Sequence, residues 1–266
     1  MYDRYAAVYD AIGQGRLAER LAGWALGWLA ERGESPARAL DLACGAGAAT
    51  LELARAGCAA VGVDRSRSML EIARGKARDA GLAAEFAEGD IRALEPRTKN
   101  QEPSGAVPGS RFSVLGSSFD LATCFYDSLN YLTDDGDLAR VFGGVAAALR
   151  PGGWWIFDLN TEAVFLHYSG QDLVTYDGPG MLVYNQLSYD RARRLCSGRI
   201  VWFAREIERW WRDEETHVER AWAESEVQAA LAGAGLALVA RLAPDGSPAA
   251  EDAFRIVYVA QKNEDS

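Results

Sequence analysis

The sequence predicts an α/β fold: a doubly wound, mostly parallel seven-stranded sheet, with an antiparallel β platform inserted after the fifth strand. Three observations predict it. Short apolar runs alternate with stretches of helical period from Arg38 to Asn160, glycine-rich turns follow the apolar runs, and beyond Asn160 the pattern changes to long β-type segments. At 266 residues the chain is long enough for one large α/β domain with an insertion, and its 49% hydrophobic content suits a packed core. The expected division is a core of residues 1–160 and 223–266, with residues 161–222 as the platform.

Taken in order, Leu17, Leu21, Trp24 and Trp28 fall on one helical stripe, so Gly15 to Arg32 is read as an amphipathic helix after a Gly13-Gln14-Gly15 turn. Arg38 to Ala43 is a short buried strand, and Ala48 to Arg55 starts a helix. A second strand ends at Val61-Gly62-Val63-Asp64, a helix covers Ser66 to Ala80, and a third strand lies near Ala83 to Ala87. Residues 95–118 turn to Pro, Gly, Ser and Lys without apolar periodicity, which predicts a flexible insertion, either a lid or a surface excursion. Phe119 to Phe125 resumes the sheet, Asp135 to Leu149 is a helix, and Pro151-Gly152-Gly153 leads into the strand Trp154 to Leu159. Met181 to Tyr189 and Leu195 to Trp211 read as long strands joined by a basic turn, with Glu215 to Trp222 as another. A helix at Ser225 to Ala232 and two strands, Leu236 to Leu242 and Phe254 to Gln261, complete the chain, the last two pairing antiparallel at the sheet edge.

The segment Leu40 to Thr50, LDLACGAGAAT, carries the most chemical information. Asp41 closes a strand, Gly45 and Gly47 allow a tight turn that faces backbone N–H groups toward a ligand, and Asp64 ends the next strand, where a carboxylate can accept from both hydroxyls of a ribose. A pyrophosphate cofactor calls for a third glycine, yet Thr50 stands there, and Asp41 would repel the phosphates. An acid beside the turn suits a ligand bearing an ammonium and a sulfonium, which points to S-adenosylmethionine.

Composition narrows the partners. The formal net charge of −10 opposes attraction to nucleic-acid phosphates and anionic membranes, so a nucleic-acid substrate is disfavoured. Four scattered cysteines make neither a C-x-x-C pair nor a Cys/His cluster, so a reduced, cytoplasmic protein without a metal is expected. The longest uncharged stretch, Leu21 to Ala30, is too short to span a bilayer. Oligomeric state is left open, a homodimer included.

Beyond the two glycine-turn segments, the chain carries EGDIRAL at Glu88 to Leu94, FDLATCFYDSLNYL at Phe119 to Leu132 and LRPGGWWIFDLN at Leu149 to Asn160. In this order the motifs resemble the class I S-adenosylmethionine-dependent methyltransferases, with their Rossmann-like sheet, across nearly the whole chain except the insertion. The YDxxAxxYD segment at Tyr2 to Asp10 and the DSLNYL loop resemble a bacterial small-molecule branch that includes amino-sugar and glycine N-methyltransferases. The resemblance implies that Ala43, Gly45 and Gly47 line the methionine and ribose, that Asp64 holds the ribose, and that Arg65 and Met69 flank the adenine. It also implies that Asp90 accepts from the adenine amino group, that the Ile91 backbone reads the ring, and that Cys124 and Phe125 lie under the methionine. Tyr9, and with it Tyr5, would close over the cofactor, the alternative being aromatic residues of the core.

Methyl transfer from a sulfonium needs a positioned nucleophile, exclusion of water and, for a protonated acceptor, a base. Candidates at the strand ends are Asp127, Asn130 and Tyr131, then Asp158 and Asn160. His217, one of two histidines, is a candidate base in a charged strand, where an ion-paired structural role is the competing reading. His167 is read as a loop or packing residue. Trp202, Trp210, Trp211 and Trp222 are read as platform core in preference to an aromatic wall for a cationic amine. A small-molecule acceptor, amine or hydroxyl, is the leading expectation. The alternatives are a protein or tRNA methyltransferase, a nicotinamide-dependent oxidoreductase and a non-catalytic cofactor-binding module.

Overall fold

Helices pack on both faces of a central sheet because successive residues of its strands point to opposite sides and both sides are apolar. The computed structural model describes residues 4–94, 96–97, 114–115 and 118–264. Its strands are β1 (Arg38–Leu42), β2 (Ala59–Asp64), β3 (Ala84–Glu88), β4 (Pro96–Arg97), β5 (Val114–Leu115), β6 (Phe119–Cys124), β7 (Leu149–Asn160), β8 (Asp172–Gly178), β9 (Met181–Asp190), β10 (Leu195–Glu206), β11 (Arg209–Arg220), β12 (Leu236–Leu242) and β13 (Arg255–Lys262). The helices are α1 (Ala6–Ala11), α2 (Arg16–Ala30), α3 (Ala48–Arg55), α4 (Arg67–Ala80), α5 (Asp137–Ala148), α6 (Glu162–Tyr168) and α7 (Glu224–Gly233).

The main sheet has seven strands in the order β12-β13-β7-β6-β1-β2-β3. The strands β7, β6, β1, β2 and β3 run parallel, and β13 pairs antiparallel with both β7 and β12. The chain winds outward from β1 in one direction and then from β6 in the other, so the switch point lies between these two strands. A second sheet of four antiparallel strands, β11-β10-β9-β8, leaves the first after β7 and returns before α7.

Alternation along the strands builds two cores. Ala39 of β1 and Leu121 of β6 pack with Leu21, Ala25 and Leu29 of α2, whereas Leu40 and Ala122 pack with Val141, Phe142 and Val145 of α5. A third cluster joins Tyr5, Val8 and Tyr9 to Met69 of α4 and to Val183, Ile200 and Trp202 of the second sheet. The first helix therefore joins the second sheet to α4.

Several details depart from the sequence reading. The segment expected as one strand from Leu195 to Trp211 breaks at Ile207-Glu208, where a two-residue turn starts β11 with Ile207 at φ 58°. No Gly, Asn or Asp marks that turn, so local chemistry carries no signal of it. The strand β8 was not anticipated. Trp202 is buried on β10 as expected, but Trp222 lies beyond β11 and is buried in the core of the main sheet, and Trp210 and Trp211 lie beside the turn, 55% and 40% exposed, so these three are not platform core. The expected insertion at 95–118 falls largely outside the described residues, which include the short parallel pair of β4 with β5; its reading as a lid or an excursion lies there too.

Gly62 on β2 shows how tightly the sheet meets the first turn. A Cβ there would sit 2.8 Å from Cys44 Sγ, 2.8 Å from Thr50 Oγ1 and 3.0 Å from the Phe86 ring. Gly62→Ala is expected to cost about 1–3 kcal/mol by overpacking, read as a lower urea midpoint with an unchanged slope.

Candidate active site

The turn after β1 is built from left-handed residues. Ala43, Gly45 and Gly47 have φ of 51°, 51° and 79°, a region that favours glycine and leaves Ala43 strained. The Gly45 N–H donates to Asp64 Oδ2 and the Ser66 N–H to Asp64 Oδ1, both at 2.8 Å. Asp64 thereby ties the end of β2 to the turn. Burial raises its pKa, and the two backbone donors act against that rise. A Cβ on Gly45 would meet no protein atom within 4 Å, so a side chain there would enter the space beside Asp64. At Gly47, by contrast, a Cβ would lie 2.9 Å from Ala73 Cβ, and this glycine permits α3 to approach α4.

A cavity opens over the carboxyl ends of β1, β2, β3 and β6, with an empty volume of about 1000 Å³, its mouth included. This is the switch-point position at which doubly wound sheets bind ligands. Of the sequence-predicted cofactor residues, Tyr9, Ala43, Gly45, Asp64, Arg65, Met69, Asp90, Ile91 and Phe125 line it. Asp90 accepts from Arg92 Nε at 2.9 Å and from Arg92 Nη2 at 2.5 Å, and these bonds hold its pKa below the usual carboxylate range. It faces the cavity as an ion pair, which the sequence did not indicate.

Three predicted cofactor residues stand behind the lining. Asp41 is buried and accepts from Thr50 Oγ1 at 2.6 Å and Thr123 Oγ1 at 2.8 Å, so it braces β1 against α3 and β6 from beneath the turn. Burial pushes its pKa up to about 6 despite both hydroxyl donors. Gly47 packs as described above. Cys124 is fully buried, with its thiol pKa pushed far up by that burial.

The expected acceptor side is redistributed more strongly. Tyr131 lines the cavity, joined by Tyr126 and Ser128, which the sequence reading passed over although both lie in the quoted FYDSLNYL segment. Tyr5 is buried against Trp202, with ring centroids 5.1 Å apart, and its hydroxyl accepts from Gln14 Nε2 at 3.0 Å. Asn130 is fully buried and is a strut: its Nδ2 donates to the carbonyls of Asn160 at 2.9 Å and Arg220 at 2.8 Å, and its Oδ1 accepts from Asn160 N–H at 3.0 Å. Satisfying three backbone groups removes it from the acceptor face. Asn160 lies at the same junction, its side chain 3.4 Å from Glu219 Oε2.

Asp127 and Asp158 also turn inward. Arg255 Nη2 donates to Asp127 Oδ1 at 2.6 Å, and Arg255 Nη1 donates to Asp158 Oδ2. Asp158 further accepts the N–H groups of Tyr126 at 2.6 Å and Asp127 at 3.1 Å. Burial opposes the Arg255 charge, but the two carboxylates more than offset it and hold the guanidinium above its usual range. His217 is 2% exposed, with Nδ1 at 3.2 Å from the Tyr131 hydroxyl and Nε2 at 3.1 Å from Glu215 Oε2. Burial lowers its pKa, and Glu215 acts in the opposite direction.

A strand-end carboxylate beside a glycine turn, a threonine where a pyrophosphate site has its third glycine, and a cavity at the switch point together define a class I S-adenosylmethionine-dependent methyltransferase. The chain belongs to the methyltransferase-domain family, whose model matches residues 34–183. It is 26% identical to YqeM of Bacillus subtilis strain 168 over 272 residues, covering 99% of the chain and 98% of YqeM. A Geobacillus relative is 32% identical over 124 residues, and there the chain spans 42% of the relative's length. The solved S-adenosylmethionine-dependent methyltransferase from Clostridium acetobutylicum superposes with a TM-score of 0.81 at 27% identity, covering 98% of this chain and 99% of that one. KedS8, a sugar N-methyltransferase from Streptoalloteichus, shares the fold with a TM-score of 0.73 at 23% identity, covering 96% and 93%.

Glu219 joins Asp127 and Asp158 as a third acid near Arg255. Burial first, and Asp127 next, push its pKa from the ordinary 4.5 up to about 8. The folded state then binds this proton more tightly than the unfolded state, so the contribution to stability falls as pH rises from 4.5 to 8. Glu219→Gln is expected to flatten that dependence: relative to the variant, the native protein loses urea resistance between the two ends of the window.

Proposed function

We propose that this methyltransferase acts on a small-molecule amine or hydroxyl held between the cofactor site and the four-stranded platform. The observation that carries the reading is the shape of the cavity. It is a recess lined by apolar and aromatic side chains, among them Tyr9, Met69, Phe125 and Tyr131, with the carboxylates of Asp64 and Asp90, the concave and mostly apolar form of a small-molecule site, and α1 packs against the platform beside it. The net charge of −10 adds to the argument by disfavouring nucleic acid.

S-adenosylmethionine, when bound, supplies a methyl group already activated on a sulfonium. The residues that would hold it are Asp64 and Gly45 at the turn, Arg65, Asp90 and Ile91 after β2 and β3, Met69 on α4, Tyr9 on α1 and Phe125 after β6. Asp64 uses one lone pair of each oxygen on Gly45 and Ser66, and each oxygen has a second for a ligand hydroxyl. The acceptor side falls to Tyr126, Ser128 and Tyr131. Four free cysteines among the described residues support a reducing, cytoplasmic setting.

Titration calorimetry with S-adenosylhomocysteine, followed by methyl-transfer assays on amines, amino sugars and hydroxyl compounds, tests the reading. Turnover of a member of these classes supports it, whereas transfer confined to tRNA or protein would overturn it. Asp64→Ala is expected to weaken S-adenosylhomocysteine binding by about tenfold or more, as a charged hydrogen-bond acceptor is lost. Unchanged affinity would remove Asp64 from the ribose site.

A further inference from the structure

Three polar side chains run in a line from the cavity into the platform. Tyr131 lines the cavity, His217 lies behind it on β11 with Nδ1 at 3.2 Å from the Tyr131 hydroxyl, and Glu215, two residues earlier on the same face of the strand, lies 3.1 Å from Nε2. Glu215 is fixed from its other oxygen, where Oε1 accepts the backbone N–H groups of Arg4 at 3.1 Å and Tyr5 at 3.2 Å.

Among these three side chains the order sets the direction of each shared proton. A carboxylate that already accepts two backbone N–H groups acts as an acceptor, so His217 carries its proton on Nε2 and presents a bare Nδ1. The Tyr131 hydroxyl then donates to Nδ1, and its oxygen lone pairs are turned toward acceptance. A hydroxyl oriented in this way receives a proton from an incoming group and passes its own inward, the logic of a nucleophile, base and orienting acid applied to a tyrosine.

We propose that Tyr131, His217 and Glu215 form a proton relay that takes the proton from the methyl acceptor, with Tyr131 touching the acceptor and His217 and Glu215 as positioning residues. The inference rests on the small-molecule reading above and deepens it, since it requires an acceptor atom that bears a proton, a hydroxyl or a protonated amine. The acceptor atom forms its bond to the methyl carbon as the carbon–sulfur bond breaks, and the sulfur leaves with that electron pair. The acceptor's proton moves to the Tyr131 oxygen and the Tyr131 proton to His217 Nδ1, before the attack where the acceptor is an ammonium, so that a nitrogen lone pair is available, and as the bond forms where it is a hydroxyl. The imidazolium so formed is stabilised by Glu215 and returns its proton to solvent after product leaves. Among the described residues, the groups that face His217 are Glu215 on its own strand, Tyr131, the Tyr5 ring at 6.5 Å and the charge of Arg65, of which Glu215 favours the imidazolium and Arg65 disfavours it.

Histidine-selective 15N NMR tests the relay without any acceptor. The chain has two histidines, and a His167→Gln variant assigns the signals. The expected result is a His217 with its proton on Nε2 in mildly alkaline buffer, and a displaced Nδ1 resonance in Tyr131→Phe. A proton on Nδ1, or no response to Tyr131→Phe, overturns the relay. On an acceptor found by the assays above, Tyr131→Phe and His217→Asn are each expected to lower kcat by about 10²–10⁴-fold, with the double variant no worse than either alone. S-adenosylhomocysteine affinity is expected to stay unchanged in His217→Asn, and the rise of kcat with pH expected of the native protein to disappear. Native kcat and an unaltered pH profile in His217→Asn overturn the proposal. Absence of any small-molecule turnover counts against the function proposed above, while the NMR result still decides the relay.

Discussion

The pairing of Arg255 with Asp127 and Asp158 is the interaction on which the β6 side of the cavity depends. Tyr126 and Asp127 are both left-handed, at φ 63° and 51°, a conformation that costs about 1–2 kcal/mol per non-glycine residue. Asp158 offsets that cost by accepting both of their N–H groups. A carboxylate buried in this way needs a countercharge, and Arg255 reaches it from the neighbouring strand β13. The antiparallel edge of the sheet thus serves the site chemically, because it delivers a cation to the end of β7. The loop carrying Tyr126, Ser128 and Tyr131 is held in consequence.

The side of the cavity over β1, β2 and β3 follows a different rule. Here the carboxylates are shared between scaffold and cavity: Asp64 accepts backbone N–H groups while facing the opening, and Asp90 does so while paired with Arg92. Asp41 serves the scaffold alone. Its two threonine partners come from α3 and β6, so the residue at the third-glycine position, Thr50, has a structural duty in holding the acid below the turn.

Much of this was legible in the sequence. The seven-stranded sheet and its antiparallel edge follow from apolar runs and helical periods, which act over short distances and survive in any context. The turn residues Gly45 and Asp64 were legible because backbone geometry restricts which residues can stand there. Asn130, Asp127 and Asp158 were read as acceptor-side groups because they are polar residues at strand ends, and the sequence does not show which way such a side chain turns. Their partners lie 30 to 128 positions away, in Asn160, Arg220 and Arg255. The break at Ile207-Glu208 was hidden for the opposite reason: pairing along the whole of β10 and β11 imposes a turn that its residues do not favour.

Asn130 has one further consequence. Its amide holds the carbonyl of Asn160, where the chain departs for the second sheet, and that of Arg220, where it comes back. Both ends of the excursion are therefore stapled to one side chain of the parental sheet. The outer hairpin turns between them can change in length while these ends meet the same neighbours. Such a stem fixes the positions at which the platform leaves and rejoins the main sheet, whatever the lengths of its outer hairpins.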